Sequence, residues 1–321
     1  MLNKITISTL MQSILILTIS LVSISAFAAK KPIIPSPEKI AAHSYAWIGP
    51  LDVPKFENNG YRMNLGFVVG TKGIVVIDTG YTEAMATEML AHIRKISPLP
   101  IVAAINTNSQ PHRFFGNRIF HNAGAKIISS ALEKKRMQEQ SGAFIDRIQR
   151  VLKLKENSIA APFLPDTLIS KPTAIELGGV EIVINVSSAA HTPQPLMVHV
   201  KQDNLVYAGD ILYGERLLSI LPASNVKQWI GSYQALANYG NATLVPGHGR
   251  PGPLSAFKFS THRYLQGISQ HMDKSVDEGL DAQDAINSFD QSAYRELVNF
   301  EILKGPNASW AYLEAEAAAF E

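Results

Sequence analysis

A chain of 321 residues, 46% hydrophobic and 17% charged, is long enough to bury a full core and has the composition of a folded globular protein. Its 29 Lys and Arg against 27 Asp and Glu leave a formal net charge of +2, which gives no electrostatic case for nucleic acid or an anionic membrane as a partner. The absence of cysteine excludes disulfides, thiolate metal ligands, thiol nucleophiles and iron–sulfur chemistry.

The first residues, Met1-Leu2-Asn3-Lys4, lead into an apolar stretch from Ile5 to Val22 and then Ala26-Phe27-Ala28. A short basic start, a hydrophobic middle and a small-x-small site read as a secretory signal peptide over residues 1–28, cut after Ala28. The expected location is therefore periplasmic or secreted, without stable membrane insertion once the leader is removed. Residues 29–43, rich in Lys, Pro and Ala, read as a flexible lead-in.

Ser44 to Ile48 alternates and predicts a strand, and Asn58-Asn59-Gly60 is a turn signal. Leu65 to Gly70 and Gly73 to Asp78 predict a buried hairpin. Thr82 is placed to cap a helix running to about Ile96, with Met85, Met89, Leu90 and Ile93 on one face and Pro98 ending it. The apolar strand Ile101–Ile105 delivers a polar loop, Asn106-Thr107-Asn108-Ser109-Gln110-Pro111-His112-Arg113, before a helix over Asn117 to Ala123.

A strand over Ala125 to Ile128 and a long charged helix over Ala131 to Leu154 follow, then a Pro-rich passage, Ala161 to Asp166, of the kind that covers substrates. Four more strands are predicted, Thr173 to Leu177, Val180 to Val186, Leu196 to Val200 and Leu205 to Ala208. Their loops hold Ala190-His191-Thr192-Pro193 and Ala208-Gly209-Asp210. A helix over Lys227 to Tyr239 and a strand over Ala242 to Val245 lead to Pro246-Gly247-His248-Gly249. Beyond Pro253 the pattern is helical, with breaks near Gly279 and at Gly305-Pro306. Strands then helices, twice, suit two sheets with helices outside.

Five polar motifs at strand ends, in this order, resemble those of the metallo-β-lactamase superfamily: Gly73 to Gly80, Asn106 to Asn117, Ala190 to Pro193, Ala208 to Asp210 and Pro246 to Gly249. The end of the chain, Asn307-Ala308-Ser309-Trp310-Ala311-Tyr312, is similar to that of its secreted quinoprotein relay system zinc metallohydrolases. The resemblance implies an α/β fold, a four-layer αββα sandwich over residues 44–253, with a helical C-terminal extension over 254–321. It also implies two metal sites, where Asn108, Gln110 and His191 stand for the first, and His112, Arg113 and His248, with Asp210, for the second.

The motif loop departs from the family at its ligands. Amide oxygens are weak donors for zinc, so Asn108, Gln110 and His191 are expected to hold a metal poorly. His112, Asp210 and His248 form a recognised catalytic donor set with an open position, for one zinc ion or for iron. In that reading His112 and Asp210 serve catalysis on a metal-activated water, while Arg113, Asn108 and Gln110 contact substrate. Arg113 is permanently charged and cannot ligate, but could bind a substrate carboxylate. The expected activity is hydrolysis of an ester, thioester or amide. A non-catalytic member, free of metal and binding a small ligand or a protein partner, is the alternative. Gly247 to Gly252 fits the dinucleotide spacing, but Pro251 and Pro253 deny it the following helix, so that motif is set aside.

Overall fold

The computed structural model describes residues 31–320, so the leader expected at residues 1–28 lies outside it. The first sheet begins with β1 (Glu38–Lys39) and β2 (Ser44–Trp47) and continues through β3 (Leu65–Val69) and β4 (Ile74–Ile77). After α1 (Glu83–Ile96) come β5 (Ile101–Ile105), the single-turn α2 (Pro111–Phe114), α3 (Asn117–Asn122), β6 (Lys126–Ser130), α4 (Ala131–Leu152) and β7 (Thr167–Ile169). The seven strands lie in sequence order, with β1 to β4 antiparallel and β4 to β7 parallel.

The second sheet holds β8 (Thr173–Glu176), β9 (Glu181–Val186), β10 (Leu196–Val200), β11 (Leu205–Tyr213) and, after α5 (Val226–Ala235), β12 (Thr243–His248). Its order is β12-β11-β10-β9-β8, parallel only between β11 and β12. Then α6 (Tyr264–Asp277), α7 (Ala282–Ser288) and α8 (Phe300–Ala319) complete the chain.

Three apolar layers define the sandwich. Between the sheets, Val68, Val75 and Ile77 meet Ile182, Ile184 and Val198. Outside the first sheet, Phe67 and Val76 pack with Met85, Met89 and Ile93 of α1 and Met137 and Ile148 of α4. Outside the second, Val206 and Leu244 pack with Trp229 of α5, Ile268 of α6 and Ala308 and Tyr312 of α8. The i, i+4 spacing of Met85, Met89 and Ile93 turns one face of α1 inward, each burial contributing about 1.5–3 kcal/mol. Thr82 caps that helix, its hydroxyl accepting from the Met85 amide at 3.2 Å.

Several expectations need correction. The lead-in at 29–43 is not a free segment over its described part: β1 pairs with β2, Ile34 is 2% exposed, and the amides of Ile33 and Ile34 donate to Glu88. Gly305-Pro306 does not break the last helix, which runs through it as α8. Pro306 leaves only the Ile302 carbonyl without its helical donor, and Ile302 is exposed, so water can serve it. The Pro-rich passage packs Phe163 on the His121 ring and docks its carbonyl on Asn117, instead of covering the polar cavity described below. No helix among the described residues is long and apolar enough to cross a membrane.

Candidate metal and substrate site

The polar residues gather where strands end. Asp78 follows β4 with a left-handed backbone (φ 61°), a conformation that costs a non-glycine residue of order 1 kcal/mol or more. Its carboxylate offsets that cost by accepting from the Thr107 amide at 2.7 Å, the Thr107 hydroxyl and the Arg113 guanidinium. The loop after β5 is thus tied to the end of β4. Glu133, buried at the start of α4, accepts from the Ser109 amide and from the Gln194 amide, both at 2.7 Å, and so clips this loop to the one bearing His191.

Asp210 lies within β11, which continues past Ala208 to Tyr213 with every residue buried. The Gly-Asp pair that reads as a turn is a bulge instead: Gly209 takes φ 54°, and a Cβ there would press on the Thr107 side chain. Gly247 is equally constrained, since a Cβ would overlap Asp210 Oδ1 and crowd Arg113 Nη2.

Arg113 is fully buried and wholly engaged. Its Nη2 and Nε donate to the two oxygens of Asp210, Nη1 donates to Asp78 at 3.0 Å and to the Asn64 carbonyl at 2.7 Å, and Nη2 also reaches the Gly247 carbonyl. Burial alone would raise the Asp210 pKa, but the Arg113 guanidinium overrides it and holds the carboxyl well below its usual range. Asp78, for which burial wins over the same guanidinium, is pushed up to about 6.

His112, Asp210 and His248 come together, one ligand atom from each lying within 4.8 Å of the others, and all three are buried. His112 Nε2 is 3.5 Å from Asp210 Oδ2, and His248 Nε2 is 3.3 Å from Asp210 Oδ1. Neither Nε2 has a hydrogen-bond partner of acceptable geometry. His248 donates Nδ1–H to the Arg62 carbonyl at 2.7 Å, and His191 donates Nδ1–H to the Ser219 carbonyl at 2.8 Å, so both present a bare Nε2. Burial, reinforced by Arg216, lowers the His248 pKa to about 3, and burial lowers His191 to about 4 despite the opposing Asp210 charge. His112 is also held well below its ordinary value, by burial and then by Arg62 and Arg113.

His191 stays outside the three-residue cluster, its ring edge-on to Tyr213 and Trp229. Asn108 does not face substrate: its Nδ2 donates to Asp210 Oδ2 at 2.8 Å and its Oδ1 accepts from the Gln110 amide. The same holds for Arg113, whose donors are all spent on buried acceptors. Gln110 alone of the three expected substrate contacts lines the cavity at the site, a space of about 310 Å³ that His112, His191 and Tyr213 also border. Arg62, Arg147 and Arg216 border it as well, and sequence reasoning missed all three, along with Asn64 and Glu133. None sits in a recognisable motif. Asn64 knots the site's floor by donating to the carbonyls of Pro246 and Gly249 while accepting from the Gly49 amide.

A family profile described as the metallo-beta-lactamase superfamily matches residues 62–248. The chain belongs to that superfamily. It is 23% identical over 208 residues to an acyl-coenzyme A thioesterase, MBLAC2, of Gallus gallus, a match covering 60% of this chain and 75% of that protein. It is also 23% identical over 192 residues to metallo-beta-lactamase type 2 of Bacillus cereus, covering 58% and 67%. Among solved structures, a metallo-beta-lactamase from Pontibacter korlensis superposes with a TM-score of 0.58 at 20% identity, over 72% of this chain and 98% of that one. A solved structure of TMB-1 superposes with a TM-score of 0.57 at 17% identity, over 74% of this chain and 100% of that one. These likenesses bear out the αββα fold.

Proposed function

We propose that this protein is an exported hydrolase that cleaves an ester or thioester with a single metal ion, zinc or iron, held by His112, Asp210 and His248. The observation that carries the reading is the pair of buried, unpartnered Nε2 atoms flanking one carboxylate, because orphaned polar atoms at such depth are costly unless something binds them. Two imidazoles and a carboxylate match the donor chemistry of a catalytic zinc or iron site. Such an ion, when bound, supplies a water acidic enough to attack near neutral pH and an electrophile for a carbonyl oxygen.

The chain's own residues do the rest. Arg113 keeps Asp210 ionised and fixes its plane. The Arg62 carbonyl fixes the His248 tautomer that leaves Nε2 bare. The carboxamide of Gln110, on the cavity wall, can donate to a substrate carbonyl. The similar thioesterase favours a thioester among the candidate bonds, and the small-x-small leader supports export to the periplasm or beyond.

One contact favours the alternative, a non-catalytic member that binds a ligand. Arg62 Nη2 lies 3.2 Å from His112 Nδ1, and a guanidinium only donates, so the neutral ring carries its proton on Nε2, facing Asp210. Ligation through Nε2 requires that proton to move to Nδ1 and Arg62 to turn away. Turnover of a panel of acyl thioesters and p-nitrophenyl esters by the zinc- or iron-supplemented protein separates the readings. Activity that a chelator abolishes, metal restores and His248→Ala lacks is expected; no turnover by folded, metal-loaded protein contradicts the hydrolase reading.

A further inference from the structure

The cavity beside the cluster is walled by three guanidiniums and by no carboxylate. Arg62, Arg147 and Arg216 line it, together with Gln110, His112 and His191. None of the three arginines forms an ion pair among the described residues. Asp52 exerts its charge on Arg216 from a distance, but its own short contact is with Lys55. Arg216 is 2% exposed, uses Nε on the neighbouring Leu217 carbonyl, and leaves Nη1 buried without a partner. Arg62 is half-buried and leaves Nε without one. Arg147, from the exposed side of α4, is near enough for its charge to oppose that of Arg62.

The nearest buried carboxylate, Asp210, acts on Arg62 and Arg216 only from a distance and is itself paired with Arg113, so like charges held this close are unfavourable in the free protein, and unpaired buried donors add to the cost. A ligand bearing negative oxygens answers both. Guanidinium forks pair with carboxylate and phosphate oxygens, and three of them exceed what one singly charged carboxylate can neutralise. The same lining also holds apolar side chains, Val53, Val151, Leu221 and Ile302, with Val151 one turn beyond Arg147 on α4. We infer that this cavity binds a multiply charged oxyanion, a phosphate ester or a dicarboxylate, and that the substrate is an acyl compound carrying such a group beside an apolar portion. This assignment rests on the reading of the cavity as the substrate site. It also replaces the substrate contact expected of Arg113, which is spent on Asp78 and Asp210.

The test is calorimetric titration of the chelator-treated, metal-free protein with inorganic phosphate, malonate and acetate, repeated with Arg62→Gln and Arg147→Gln. Arg147 is exposed, so its variant keeps the fold; circular dichroism checks both. Saturable binding of phosphate or malonate, stronger than that of acetate, weakened about tenfold in each variant and reduced by added salt, is the expected result. No saturable heat from either dianion, or binding that both folded variants retain unchanged, overturns the inference. The experiment contains no metal, so the two readings fail separately: metal-dependent turnover without dianion binding defeats this inference alone, whereas dianion binding without metal-dependent turnover defeats the hydrolase reading and the acyl substrate with it, and leaves the oxyanion site standing.

Discussion

At the scale of the residue, Arg113 decides how the site is held. It neutralises one of two buried carboxylates, Asp78 and Asp210, and removing it leaves both in a low-dielectric interior without a counter-charge, held only by neutral donors such as Thr107 and Asn108. Arg113→Ala is expected to cost about 3–5 kcal/mol, read as a lowered denaturant midpoint; a loss under about 1 kcal/mol would mean the cluster is not closed as described. The buried histidines give the metal-free protein a pH signature. His191 and His248 take up protons at about 4 and about 3 in the folded chain, but near 6.5 when unfolded. Between pH 6.5 and 4 the unfolded state therefore binds more protons at these rings, and stability falls as the solution is acidified. Asp78 works in the opposite sense between about 3.8 and 6, because there its native carboxyl holds a proton that the unfolded one has lost. Two histidines, joined by His112, outweigh one aspartate. Chelated protein should lose on the order of 3 kcal/mol between pH 7 and pH 4.5 in urea titrations, and a flat profile would count against burial of neutral imidazoles.

At the scale of the element, β11 and β12 carry the site because they run parallel and end together, bringing Asp210 and His248 to one edge of the second sheet. That meeting requires a residue with no side chain at position 247. Gly247→Ala should push Asp210 and Arg113 apart and lower metal content even if the protein stays folded, which elemental analysis of the soluble variant would show. The helix α8 also shapes the cavity, lining it with Ile302 and Leu303. Asn307 accepts from the Ile220 amide at 2.8 Å and donates to the Leu218 carbonyl at 2.9 Å, fixing the segment that bears Ser219 and Leu221. Asn307→Ala is expected to cost about 1–3 kcal/mol in thermal or denaturant unfolding, since two buried backbone groups lose their partner. Strands with strong apolar runs, such as β3 to β5, and the Thr82-capped α1 were legible from pattern alone. The extension of β11 was not, because Gly209-Asp210 has the composition of a turn and only pairing with β12 makes it a bulge. The continuity of α8 through Pro306 was equally hidden, since it depends on solvent reaching one carbonyl.

At the scale of the whole molecule, the order of five strand-end motifs was enough to expect the sandwich, and the superfamily match over residues 62–248 agrees with it. The positions of His112, Asp210 and His248 could be named in advance because each sits in a motif. Their surroundings could not. Arg62, Arg147 and Arg216 come from a loop, the middle of a helix and the segment after β11, and only the tertiary fold brings them to one cavity. Likewise, whether Asn108 and Arg113 faced substrate or Asp210 depended on side-chain directions that spacing does not encode. His112, Asp210 and His248 are proposed to form one metal site. Elemental analysis of the protein purified without chelator and supplemented with zinc or iron, beside His112→Ala and His248→Ala, tests it most directly. About one equivalent of metal in the parent protein, lost in both variants, is the expected result. Metal no higher in the parent protein than in the variants, under either supplement, would contradict it.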